Sequence, residues 1–109
     1  MMRAALSSAA AQLLRSLLSR TGLDRDRVLV SAFRSVDWQS LTFTGERHEI
    51  SLRIPGPCAA QAAALLREGL AEAEWSLKGH IVAEIVIVRE YEEADGAILV
   101  GLEALTLSD

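Results

Sequence analysis

The sequence predicts a single α+β domain with the order helix, strand, strand, helix, strand, strand. Three observations carry this prediction: an apolar stripe at helical spacing before residue 20, an alanine-rich segment after residue 57, and four extended segments rich in β-branched residues. Because 109 residues suffice for one hydrophobic core but not for two, we expect residues 1–109 to form one domain. The order favours a four-stranded, mostly antiparallel sheet with both helices on one face. A short sequence similarity between segments 10–15 and 59–67 is consistent with a weak internal αββ duplication.

The composition is that of an ordinary folded protein, since 50% of the residues are hydrophobic and 24% are charged. The net charge of −4 argues against a dedicated nucleic-acid binder, and no apolar run approaches the roughly 20 residues that cross a bilayer. The one cysteine, Cys58, excludes an internal disulfide and fits a reducing compartment. We therefore expect a cytoplasmic protein without nucleic-acid or membrane partners. The excess of arginine over lysine is typical of a GC-rich bacterial genome.

The first element is a helix within MMRAALSSAAAQLLRSLLSR, the first twenty residues. The absence of acidic residues there is also typical of a transit peptide or a secretory signal, but Arg15 interrupts the apolar core that a signal needs. We expect a helix of the domain that ends near Thr21 and Gly22, with the glycine in the left-handed conformation. Its apolar stripe is formed by Leu6, Ala10, Leu13, Leu14, Leu17 and Leu18.

Two extended segments follow the polar connector DRDR. The first, VLVSAFRSVDW over residues 28–38, is rich in β-branched and aromatic residues and predicts a strand. The second runs over residues 40–54, and its apolar residues change from odd to even positions along the segment. Gly45 lies at the change, so we expect a β-bulge there, with a tight turn over residues 45–47 as the alternative.

The second helix is predicted over residues 58–78. Pro57 suits its first turn because proline lacks the N–H that a helix start leaves unpaired, and Gly79 ends it. The many alanines of this helix lack bulk, so it can lie close to whatever it packs on. Cys58 lies where a helix N-terminus lowers a thiol pKa, but it also falls on the apolar side, so we expect it to pack in the core.

The last two strands flank Asp95-Gly96, a pair typical of a two-residue type I′ turn. Such a turn places residues whose numbers sum to 191 opposite each other. One apolar set then faces the helices: Ile81, Ala83, Ile85, Ile87 and Tyr91 with Ile98, Val100, Leu102, Ala104 and Thr106. The reverse face carries a second apolar set, interrupted by two glutamates: Val82, Glu84, Val86, Val88, Leu99, Glu103, Leu105 and Leu107.

That reverse face is the main functional signal in the sequence. A soluble monomer rarely exposes so much contiguous apolar surface, and closed twofold dimers are the commonest assembly, so we expect a second copy of the chain to cover it. Glu84 and Glu103 then need cationic partners, for which Arg34 and Arg53 are candidates, unless they lie at a solvated rim. The sequence thus favours a non-catalytic, homodimeric binding or structural module.

The alternative is a small dimeric, hydrolase-like enzyme with a site at the subunit interface. Its candidate catalytic residues are His48, His80, Glu49 and Glu84, since imidazole beside a carboxylate can act as a general base or hold a metal. His48 shares its parity with the apolar positions 50 and 52, which favours a buried structural role instead.

No catalytic motif, cofactor-binding loop or metal-ligand spacing occurs in the sequence, so we expect neither a cofactor nor a metal. Trp38 and Trp75 each lie at the junction of two elements, where plugging the core is favoured over lining a ligand pocket.

Overall fold

The computed structural model describes residues 6–109. Its elements are α1 (Ser8–Arg20), β1 (Leu29–Gln39), β2 (Thr44–Ile54), α2 (Ala59–Arg67), β3 (His80–Glu92) and β4 (Ile98–Ser108), with short 3-10 turns at Arg25–Arg27 and Leu70–Glu72. The strands form one antiparallel sheet in the order β1-β2-β4-β3. The buried side chains of both helices join those of one sheet face in a single core. The predicted α+β class and the αββαββ order are therefore confirmed.

The helix α1 begins and ends where capping chemistry allows. The Ser7 hydroxyl accepts a hydrogen bond from the Ala10 N–H at 3.1 Å, which caps the N-terminus. Thr21 follows the last helical residue, and Gly22 then adopts a φ of +74°, so the predicted end is confirmed. Residues 1–5 of the predicted helix lie outside the described residues. The buried stripe comprises Ala9, Ala10, Leu13, Leu17 and Leu18.

The β1–β2 hairpin turns at residues 40–43, ahead of the predicted bulge. The Ser40 N–H donates to the Phe43 carbonyl at 2.8 Å, and the Ser40 hydroxyl accepts from the Phe43 N–H at 3.1 Å. Beyond this turn β2 pairs without interruption from Thr44 to Ile54, so the bulge predicted at Gly45 and the alternative turn over 45–47 are both wrong. The apolar phase changes because Leu41 and Phe43 belong to the turn.

The helix α2 is shorter than predicted because Gly69 ends it. The helix stops at Arg67, and Gly69 then adopts a left-handed φ of +63° that a continuing helix does not allow. Residues 73–78 are neither helix nor strand. Cys58 is exposed, so the expectation that it packs in the core is wrong. Trp75 does pack against the core, and the Arg20 guanidinium lies 5.9 Å from its ring centroid.

The β3–β4 connection is a three-residue loop, Ala94 to Gly96, in place of the predicted two-residue turn. The Gly96 N–H donates to the Glu93 carbonyl at 2.9 Å, and the Glu93 N–H donates to the Ala97 carbonyl at 2.7 Å. Only Gly96 has a positive φ, whereas a type I′ turn requires one at Asp95 as well. The Asp95 carboxylate instead accepts from the Ala97 N–H at 3.0 Å.

The register of β3 against β4 therefore differs from the prediction, and two bulges in β3 shift it further. The register changes between Val82 and Glu84 and again between Ile87 and Arg89. As a result Val82 lies on the helix side, opposite Thr106. Ile81 and Tyr91 lie on the side predicted for Val82, opposite Leu107 and Leu99. The alternation predicted for β4 is confirmed, because its buried helix-facing residues are Ile98, Val100, Leu102, Ala104 and Thr106.

The core lies between the helices and this sheet face. Leu13 and Leu17 of α1, Leu66 of α2 and Leu52 of β2 are fully buried in it. Within residues 6–109, neither helix combines the length and the apolar character that crossing a membrane requires.

Candidate functional site

The sheet face away from the helices is the largest surface that no described helix covers. We call its residues the open face and assign them from their cross-strand partners. From one end of the sheet to the other, the rows in the order β1, β2, β4, β3 are Trp38, Gly45, Leu107 and Ile81; Val36, Arg47, Leu105 and Glu84; Arg34, Glu49, Glu103 and Val86; Ala32, Ser51, Gly101 and Arg89; and Leu29, Arg53, Leu99 and Tyr91. Of the predicted interface residues, all but Val82 and Val88 belong to these rows, and Val88 is the extra residue of the second β3 bulge.

Charges are concentrated in the three middle rows of the open face, which hold six of its seven charged residues. Large apolar groups are well exposed on both outer strands: Leu29 at 59% on β1, and Val86 at 53%, Ile81 at 50% and Tyr91 at 50% on β3. Leu105 is buried at 7%, because an ion pair between Arg47 and Glu84 spans the strand above it. The open face therefore combines exposed apolar side chains with a charged centre.

Three ion-pair groups organise most of these charges. Arg34 lies 3.5 Å from Glu49, and Arg47 lies 3.5 Å from Glu84. Arg53 lies 2.9 Å from Glu93 and also binds Asp95 in the β3–β4 loop. Within the chain, the partner of Glu84 is thus Arg47, in place of the predicted Arg34 or Arg53. Such exposed pairs contribute at most about 1 kcal/mol each.

Two charges on the open face are arranged differently. Glu103 faces Glu49 directly across the β2–β4 pairing, and like charges in that position destabilise a sheet. Arg89 lies flat over Gly101, where a β-carbon would stand 2.8 Å from the Arg89 Cγ and Nε atoms. Both side chains border a hollow of about 240 Å³ that Arg34, Glu49 and Ser51 also line. Glycine at position 101 is what lets the arginine lie across the sheet.

His48 lies on the opposite, helix-facing side and is only 1% exposed. Its Nδ1 is 2.7 Å from the Ser35 hydroxyl, and its Nε2 is 2.9 Å from the Thr106 hydroxyl. Burial lowers the pKa of His48 because the charged imidazolium is desolvated; His80 lowers it further, while Glu46 raises it in part. The ring is therefore a doubly hydrogen-bonded part of the core, in a setting that favours its neutral form.

The four candidate catalytic residues do not share one cleft, and only His48 and Glu49 of the four border a common hollow, of about 120 Å³. His80 is half-buried at the end of β3, where it lines a cleft of about 350 Å³ with Asp37, Glu46 and Thr106. This cleft and His48 lie on the helix side, whereas Glu49 and Glu84 lie on the open face. Among residues 6–109 no group of three or more histidine, cysteine and acidic side chains is placed to hold a metal ion.

Sequence reasoning missed Arg47, Arg89 and the hydroxyl partners of His48. Ser35 and Thr106 alternate along their strands with the open-face residues, so they lie on the helix side of the sheet. Their proximity to His48 can be predicted once the strand pairing is known. The position of Arg89 cannot be predicted in this way, because the three-residue β3–β4 loop, in place of the predicted two-residue turn, sets the register that places it opposite Gly101 on the open face.

We expect acidification to destabilise the fold through His48. Its folded-state pKa lies below the ordinary value of 6.5, so the unfolded chain takes up a proton first as the pH falls. The stabilisation due to the neutral ring is complete above pH 6.5 and is lost as the pH falls toward the folded-state pKa. Urea unfolding between about pH 7.5 and 5.5 measures this loss.

The comparison for this prediction is the second histidine. His48→Gln should flatten the dependence of the unfolding free energy on pH, whereas His80→Gln should keep most of it, because burial, the main cause of the lowered pKa of His48, is unchanged and only the smaller contribution of His80 is lost. Equal pH dependence in His48→Gln and the parent would contradict the assignment.

Comparison of the chain with protein-family models, curated proteins and solved structures finds no match.

Proposed function

We propose that this protein is a non-catalytic module that forms a homodimer through its open face. The observation that carries the proposal is the exposure of large apolar side chains around charges of both signs on one face of the sheet. Patches of this kind on a folded chain mark interaction sites. Three well-exposed members, Val86, Ile81 and Tyr91, lie together on β3, so the partner has to cover this strand.

The size of the open face fits a second copy. Three of the strands have eleven residues, and β3 has thirteen. With strands about 4.8 Å apart and a rise of about 3.4 Å per residue, the face covers about 700 Å². A standard protein interface buries about 800 Å² on each partner. Two copies whose open faces cover each other therefore form an interface in that range.

The charge pattern of the open face also favours a second copy over a strongly charged partner. The face carries four arginines and three glutamates, so neither sign dominates it. In a twofold interface residue i meets residue j while j meets i, and a surface with both signs can therefore complement itself. A nucleic acid would require a basic surface, which this face does not present.

The hydrolase-like alternative gains no comparable support. Glu49 and Glu84 lie across the sheet from His48, and both ring nitrogens of His48 already have hydroxyl partners. The exposed Cys58, with no second cysteine in the sequence, is consistent with the predicted reducing, cytoplasmic compartment.

The proposal is tested by the mass of the protein in solution, measured by light scattering on a sizing column over a range of concentrations. We expect about twice the chain mass of 11.8 kDa. Val86→Glu should shift the mass to that of the monomer, because it adds a negative charge beside Glu103 in the surface to be buried. Leu41→Glu is the matched control: it also replaces an exposed apolar residue by glutamate, in the β1–β2 turn outside the rows of the open face, and should keep the dimer.

A parent protein that stays monomeric at every concentration would refute the proposal. So would a Val86→Glu variant that is folded by circular dichroism and dimerises as well as the parent.

A further inference from the structure

Resting on the proposed dimer, we infer that Arg89 of each copy forms an ion pair with Glu103 of the other copy. The pair is formed twice, once on each side of the twofold axis. This Arg89–Glu103 pair is the polar contact that sets how the two open faces align.

The first step is an inventory of the charges on the open face. Seven charged side chains lie there, and five have partners within the chain: Arg34 with Glu49, Arg47 with Glu84, and Arg53 with the acids of the β3–β4 loop. Among the residues that the structure describes, Arg89 and Glu103 form no ion pair within 4.0 Å. One charge of each sign therefore remains for a partner.

The second step concerns what happens to Glu103 when the face is covered. It stands directly opposite Glu49, and the arginine next to this pair, Arg34, contacts Glu49. Covering Glu103 with an apolar surface would bury a negative charge without compensation, which is costly. A cation on the partner copy pairs with Glu103 and so offsets this cost. The other charges of the open face keep the partners that they have within the chain.

The third step is the presentation of Arg89. Its side chain lies over Gly101 and borders the same hollow as Glu103, so its guanidinium is held on the surface of the sheet. A guanidinium offers two parallel N–H donors that match a carboxylate. Little rotamer entropy is lost when a side chain that already lies flat meets its partner.

The fourth step is symmetry. Glu103 pairs across β4–β3 with Val86, and Arg89 pairs with Gly101 in the next row of the open face. The two residues are therefore diagonal neighbours. A twofold axis that lies between two facing sheets and crosses the line from Arg89 to Glu103 at its midpoint, at a right angle, exchanges their positions, so each Arg89 meets the partner's Glu103.

Charge reversal tests the inference. We expect Glu103→Arg and Arg89→Glu to weaken homodimerisation at least about tenfold in Kd, because each variant faces itself with two like-charge contacts. Mixing the two variants should restore association, since the mixed dimer contains two arginine–glutamate pairs. Fluorescence anisotropy with one labelled variant titrated by the other measures this.

The matched control mixes Arg47→Glu with Glu84→Arg, whose charges pair within one chain. No preferential mixed dimer is expected there. If either variant of the main pair fails to fold, as judged by circular dichroism, the neutral variants Arg89→Gln and Glu103→Gln replace them. Each neutral variant should weaken the dimer, and the double variant should weaken it by less than the product of the two effects.

The failures of the two proposals are distinguishable. A parent that dimerises while the charge-reversal variants associate as tightly as the parent, or gain nothing on mixing, would overturn the Arg89–Glu103 pair and leave the open-face dimer standing. A monomeric parent would refute both.

Discussion

Replacing Gly45 with alanine is expected to lower the free energy of unfolding by about 3 kcal/mol, at the upper end for overpacking. A β-carbon at this position would collide with the Thr106 carbonyl oxygen and would stand 3.0 Å from the Leu107 Cα atom. Both are backbone atoms of β4, the strand paired with β2, so relief requires the two central strands to separate. Thr106 also holds the buried ring of His48, and the damage therefore reaches the core.

Gly101→Ala is the control for this prediction, because it makes the same change in the paired strand β4. Its β-carbon would meet the side chain of Arg89, which can swing away, and not a backbone. We expect a change in the unfolding free energy within about 1 kcal/mol, since glycine within a strand is itself unfavourable by a similar amount. Urea unfolding followed by tryptophan fluorescence compares the two variants, and equal losses would show that backbone contact is not the cause.

Leu66→Ala is expected to cost about 2 to 5 kcal/mol, the range for truncating a buried leucine. The other buried residues of α2 are Ala59, Ala62 and Ala63, so Leu66 is the one large side chain that this short helix buries. Its removal leaves a cavity that the alanines cannot fill. The predicted result is a helix α2 that is attached weakly to the sheet, together with a lower unfolding midpoint in urea.

The adjacent leucine provides the control. Leu65 is 43% exposed, so Leu65→Ala removes a similar volume without leaving an enclosed cavity and should cost about 1 kcal/mol, less than Leu66→Ala. Amide hydrogen exchange separates the two variants further: only Leu66→Ala should increase exchange along α2. Similar costs for the two substitutions would mean that α2 is not anchored through Leu66.

The elements that could be predicted are those whose signal is local. The apolar stripe of α1 and its glycine stop are read from consecutive residues, and the alternation of β4 correctly separates Val100 and Leu102 from Glu103. A single glycine inside an otherwise helical pattern is a weaker predictor of where a helix ends. Gly69 ends α2, but the alanine-rich sequence on both sides of it also suits a continuing helix.

Register could not be predicted, because it depends on turn conformation and on bulges. Asp95-Gly96 fits both a two-residue and a three-residue loop, and the choice rests on the φ angle of Asp95. The three-residue loop places Tyr91 and Arg89 on the open face, the bulge at Val88 returns residues 84–87 to their predicted faces, and the bulge at Ala83 moves Val82 to the helix side. The existence of a second, partly apolar sheet face followed from the apolar residues at both odd and even positions of the last two strands, whereas its charged centre required the pairing of strands distant in sequence.

The positions of the bulges have a consequence for how this sheet can grow. The irregularities in β1 and β3 all fall on the two outer strands, while the pairing of β2 with β4 is regular throughout. An outer strand with a regular row of unpaired N–H and C=O groups is a template for adding further strands, and a bulge interrupts that row and twists it. Both borders of the sheet are therefore poor templates, so stacking of copies strand to strand into an open fibre is disfavoured.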